Sequence, residues 1–282
     1  MAGKFWIGGS GTWDNTNDAN WSLSSGGPNN TTHPTSSDSV TLDGNSGAGA
    51  VITAAADVAA LLLALGSTGG QFTGTLDFAT NNNSPTFGNF AFSGTGTRTL
   101  NMGNGTWTIG GQNSTVWDFT TITGLTFNAN ASIINFTGNL TDNINLFLGT
   151  SLSYNTININ TIGNGFAVSS TANTTTPTIA TLNIAAGNYV AFNNTTYTIT
   201  NAFNWNGASS SPILLVGSHN SGHTTIHIGT SGAISWAGLV LMKFNTQAVN
   251  ATNSFDFGGN SMNGGAITPP SGGGSGAHVI GG

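Results

Sequence analysis

Three histidines at four-residue intervals, His219, His223 and His227 in SHNSGHTTIHIG, form the cluster most suggestive of chemistry. Imidazole is a common metal ligand, and on a helix this spacing would set all three on one face. Gly222 and the β-branched Thr224, Thr225 and Ile226 direct the segment into a turn and a strand instead. On a strand His223 and His227 share a face about 13 Å apart, too far for one ion. A metal could then be held only between copies around a symmetry axis. With no carboxylate nearby, ordinary polar positions are expected and no metal is assigned.

The acids are nine aspartates, with no glutamate. Glycoside hydrolysis needs two carboxylates about 5–9.5 Å apart. Asp14 with Asp18 is one candidate pair; Asp77 or Asp118 facing a neighbour one turn away is another. A polysaccharide lyase also wants cations to neutralise a uronate, and the basic residues are only Lys4, Arg98 and Lys243. Asp38, Asp43, Asp118 and Asp142 stand at turns or strand edges, where Asp is common. No catalytic residue or cofactor is therefore assigned, and the chain is expected not to be an enzyme. Asp14, Asn15, Asn17 and Asp18 offer oxygen ligands for calcium, but their spacing is not that of an EF-hand, and an Asx-turn is expected. Trp6, Trp13 and Trp21 are the candidate binding residues, since indole faces stack on sugars. The competing reading makes them an end cap.

These residues sit in a chain of unusual composition. Charged residues are only 4% of its 282, against about 25% in an ordinary globular protein. The net charge of −6 and three scattered cations exclude the basic stripe that nucleic-acid binding requires. The longest apolar run, Val58 to Leu65, is far short of a membrane-spanning helix, so no membrane insertion is expected. Regular Phe, Trp, Ile and Leu exclude the disordered class. Cysteine is absent, which removes disulfides and thiolate metal sites.

The elements that must position the candidates are short strands. From Thr95 to Asn145 apolar residues alternate with polar ones and Gly or Asn closes each run: Leu100 and Met102, Trp107 and Ile109, Leu125 and Phe127, Ile134 and Phe136. Strands returning this often read as sandwich, barrel or solenoid. The length of the pattern favours an all-β, elongated parallel β-solenoid, with β-sandwich domains as the alternative. Stacking explains the missing charge, because a charge repeated on successive turns would face its own copy about 4.8 Å away. Asn and Thr can instead hydrogen-bond along the stack. The Val58–Leu65 run is expected as a strand. A flat Thr face could match an ice lattice, but Thr looks scattered over corners and strands, so none is expected. Residues 1–43 read as a Trp-rich cap or attachment segment, 44–246 as the solenoid, and 247–282 as terminal strands and a Gly/Pro-rich arm.

The opening F-W-I-G-G-S-G-T-W, the block S-G-T-G-T-R-T-L-N-M-G-N-G-T-W-T-I and the closing F-D-F-G-G-N-S-M-N-G-G resemble an uncharacterised group of phage and bacterial surface β-solenoid proteins. The resemblance implies a structural or adhesive role and carries no catalytic motif. MAGKFWIGGSG shows no apolar signal-peptide core, so a route outward as part of a particle is expected. The expectation is a non-enzymatic virion protein of a tailed phage: a head decoration, head fibre or tail appendage, located in the virion. Its expected partners are itself, most simply as a trimer, other virion proteins and host-surface glycans. A secreted bacterial adhesin is the alternative, and a polysaccharide-cleaving β-helix enzyme a more distant one.

Overall fold

The computed structural model describes residues 2–112, 114–163, 167–169, 177–192 and 196–205, and beyond these only strand segments between 213 and 268. The chain is an all-β parallel solenoid of about six turns. Among the described residues the only helix is one short 3-10 turn at Gly44–Ser46. Histidines 219 and 223 lie outside the described residues. His227 lies on strand Thr224–Ile228, opposite Thr198 of the preceding turn, and its side chain lies outside the description as well. The segment 269–282 is likewise outside it.

Two parallel sheets carry the first turns. One runs Gly3–Trp6, Ser39–Leu42, Ala59–Leu65 and Thr86–Ala91, each pairing in parallel with the next. The Val58–Leu65 run is therefore a strand, as its length indicates, with Ala60 and Leu63 rather than Leu61, Leu63 and Leu65 turned inward. Stacking already begins at Gly3, paired with Ser39, so residues 1–43 contribute rungs to the solenoid as well as covering its end. The second sheet stacks Gly11–Trp13, Val51–Ala54, Thr75–Asp77, Arg98–Asn101 and Leu125–Asn128.

At the next turn the first sheet divides. Thr86 and Phe87 continue into Thr108 and Ile109, while Phe90 and Ala91 continue into Trp117 and Asp118. The break holds Gly110 and Gly111, and from there two columns of strands climb side by side. One is Thr106–Ile109, Ile133–Phe136, Ser153–Ile159, Thr178–Ile184 and Thr196–Trp205.

The core is linear, as the period-two pattern requires. Val40, Leu63, Phe90, Trp117 and Leu146 lie in one inward column, and Trp107, Ile134, Ile157, Leu182 and Phe203 in another. All are buried. Phe90 stacks on Trp117 with ring centroids 5.1 Å apart, and meets Trp107 edge-on at 5.3 Å. Such aromatic contacts add about 0.5–1.5 kcal/mol each beyond area burial.

Arg98 is one of the few charged residues in the interior: it is 2% exposed, and among the described residues no acid pairs with it. It spends its donors on carbonyls instead. Nε and Nη2 reach Phe92 O, Nη1 reaches Gly96 O and Thr123 O, and Nη2 also reaches Thr121 O, all at 2.9–3.2 Å. The guanidinium thus ties its own corner to the corner one turn on, and burial pulls its pKa down.

At the division of the sheet the backbones come too close for side chains. The amide of Gly111 donates to Gly88 O at 2.8 Å, and a Cβ added at Gly138 would land on the Gly111 carbonyl oxygen. A Cβ at Gly110 would meet only Phe87 O, at 4.0 Å. Gly138→Ala should therefore cost about 2 kcal/mol or more and lower Tm by roughly 3–6 °C. Gly110→Ala should change stability by less than about 1 kcal/mol. Thermal melts of both variants check this; equal losses would place the tight approach elsewhere.

Candidate functional site

The N-terminal end is partly covered. Trp21–Ser22 runs antiparallel beside Phe5 and Trp6, on the edge not used by Ser39–Leu42, so that half of the first strand has its outer edge paired. Trp6 and Trp21 meet edge to face at 5.1 Å, and Trp13 and Trp21 at 5.3 Å. Trp6 Nε1 donates to Gly9 O at 2.8 Å. All three indoles are 0% exposed. This corrects the sugar-stacking role expected of Trp6, Trp13 and Trp21: stacking needs a ring face in solvent, and theirs are spent on one another and on the first turn's core.

The loop that follows is tied to this cap by charge. Lys4 Nζ, 4% exposed as a residue, lies 3.0 Å from Asp38 Oδ2 and donates to Thr32 Oγ1 and His33 O. Asp38 Oδ2 also accepts from the amide and hydroxyl of Thr35. Asp18 Oδ1 takes both the backbone amide and ring Nδ1 of His33 at 2.7 Å.

Three further acids bond within their own turns. Asp14 Oδ1 accepts from Thr16 N, Thr16 Oγ1 and Asn17 N, the expected Asx-turn in the segment read for calcium. Asp118 does the same with Thr120, and Asp77 with Ala79 and Thr80. One turn away Asp77 faces Thr53 and Asn101, and Asp118 faces Ala91 and Phe147. The carboxylate pairs considered at Asp77 and Asp118 are not formed. Asp14 and Asp18 are likewise engaged separately, one by its own turn and the other by His33.

What the structure assembles instead is a row of amides. On the outer face of the second column, Thr108, Asn135, Asn158, Asn183 and Asn204 occupy one position on five successive rungs. Asn158 Nδ2 donates to Asn135 Oδ1 at 2.6 Å, Asn183 Nδ2 to Asn158 Oδ1 at 2.6 Å, and Asn204 Nδ2 to Asn183 Oδ1 at 2.7 Å. Each inner member keeps one N–H and further acceptor capacity after these bonds. Beside the row runs a groove of about 550 Å³, to which Thr137, Asn160 and Ala185, two residues further along their rungs, also contribute. Among the described residues no charged side chain lines it. Further along the axis toward the cap lies a second hollow of about 510 Å³, at the division of the sheet, with Gly88, Gly110 and Gly111 among its lining residues.

The other sheet carries a shorter version. Asn128 Nδ2 donates to Asn101 Oδ1 at 2.8 Å, beside a row of Thr75, Thr99 and Thr126. Threonine is thus less scattered here than the sequence suggests, though Val51 and Asp77 interrupt the face. The asparagine row was a missed feature. Its signal is the recurring Ile-Ile-Asn-Phe (133–136), Thr-Ile-Asn-Ile (156–159), Thr-Leu-Asn-Ile (181–184) and Ala-Phe-Asn-Trp (202–205).

Comparison of the chain with family models, with curated proteins and with solved structures gives no match in any of the three.

The Lys4–Asp38 pair makes the cap sensitive to acid. Burial would raise the Asp38 pKa, but the hydrogen bonds from Lys4 and Thr35 and the Lys4 charge outweigh it and hold it down at about 2. A depressed carboxylate stabilises the fold above its unfolded pKa, so this contribution is complete above about pH 4 and fades as pH falls toward 2. It amounts to about 1–2 kcal/mol. Denaturant titrations should show Asp38→Asn less stable than the parent at pH 7 by about this amount, with the two converging near pH 2. Parallel curves across that range would remove Asp38 from the account.

Proposed function

We propose that the chain is a non-enzymatic structural protein that presents a stiff β surface, of the kind used as a tailed-phage head decoration, head fibre or tail appendage. It acts as a homo-oligomer, most simply a trimer, fixed to other virion proteins. The observation that carries the reading is the continuous parallel stack with a partly covered N-terminal end. A stack of this sort extends a surface along one axis without needing a compact core, and the covering strand limits growth by edge pairing. Two further features support it. The acids described at Asp14, Asp77 and Asp118 serve corner geometry, and the outer rows are neutral amides and hydroxyls suited to packing against other copies. The resemblance of its opening, central and closing motifs to phage and bacterial surface solenoids points the same way.

The secreted adhesin is the second reading, favoured by the open amide-lined groove. Location separates the two. Particles released by lysis and purified by density should contain the chain at a fixed ratio to the major head protein, with antibody label on their surface. Recovery only from the cell envelope or medium, with none on particles, would overturn the virion role.

A further inference from the structure

We propose that the groove beside the asparagine row is a binding site for an extended, neutral glycan lying parallel to the solenoid axis. The site goes beyond the structural role above and does not depend on it. Four amides, from Asn135 to Asn204, repeat at the strand spacing, so the row spans about 14 Å. Their mutual hydrogen bonds fix the side-chain orientations before any ligand arrives, which removes much of the ordering cost of binding. Each inner amide still offers a donor and an acceptor, the combination a sugar hydroxyl satisfies.

The groove's neutrality selects the ligand class. A phosphate polymer or a polyuronate would need cations, and none lines the groove among the described residues. An apolar segment would strand the remaining amide groups without partners, at a cost of about 1–3 kcal/mol each. A neutral polyol chain meets neither objection. Its direction follows from the row: equivalent amides recur along the axis, so a polymer with a repeating pattern of hydroxyls makes the same contacts on successive rungs. Two residues further along their rungs, Thr137 and Asn160 are exposed and supply additional polar groups to the groove.

The test uses the full chain on an array of neutral oligosaccharides (α- and β-glucans, mannans and chitin oligomers) alongside matched polyuronates. Retention of one or more neutral oligomers is expected, with affinity rising from two sugar units to four. Asn158→Ala with Asn183→Ala should weaken it at least tenfold. Asn160→Ala, which leaves the row intact, should weaken it several-fold and serves if the double variant folds poorly. Asn128→Ala, on the other sheet, should leave binding unchanged. Retention of polyuronates alone, equal loss in Asn128→Ala, or no retention of any neutral oligomer would overturn the proposal. So would self-association abolished by the groove variants without any glycan retained, since that would assign the face to a second copy of the chain.

Discussion

Everything in this molecule answers to one constraint: each rung must accept a near-copy of itself about 4.8 Å above and below. The backbone meets the constraint with parallel hydrogen bonds, and the side chains must meet it position by position. Inward positions do so with Leu, Ile, Phe and Trp, which tolerate their own kind at that distance. Outward positions do so with Asn and Thr, and an amide is the side chain that can donate to the copy on one side while accepting from the copy on the other. A charge repeated there would repel itself, which is why charged residues fall to 4% of the chain.

The few charges stand where the repeat breaks. Asp14, Asp77 and Asp118 sit at corners and collect the amides of their own turns. Arg98 lies inside a corner and satisfies five hydrogen bonds with carbonyls of two successive turns, a solution that leaves neither carbonyl nor guanidinium stranded in a medium without water. Lys4 and Asp38 pair where the loop from the cap rejoins the stack. Asparagine rows, glycine corners and end cap are three responses to the same geometry, and the two hollows are its by-products: outward amides line one, and small residues at the division of the sheet open the other.

Alternation made the solenoid legible from residues such as Leu100, Met102, Trp107 and Ile109, because a period of two survives any loop length. The Val58–Leu65 run was legible as a strand from its length, since it is too short for a typical helix. The asparagine row was not, because successive members lie 27, 23, 25 and 21 residues apart from Thr108 to Asn204. Insertions at the corners shift the spacing each time, so no fixed period aligns them, and only strand pairing does. The tryptophans were ambiguous for a different reason. An indole that covers a core end and one that binds a sugar have the same residue type and the same turn neighbours, and exposure alone separates them. For Trp6, Trp13 and Trp21 that exposure is zero. The histidine segment stayed without a structural answer, since His219 and His223 lie outside the described residues.

Register is the claim on which the row, the groove and the core columns all rest, and cysteine pairing tests it most directly because the chain has no cysteine of its own. Asn158 and Asn183 are strand partners, so their Cα atoms should lie within the range a disulfide can bridge. Asn158→Cys with Asn183→Cys should close to a disulfide under mild oxidation in the folded protein and not in denaturant. Asn158→Cys with Leu182→Cys, whose second side chain points into the core, should not. Closure of the second pair in preference to the first would shift the register by one residue, turn the amides inward and contradict the account.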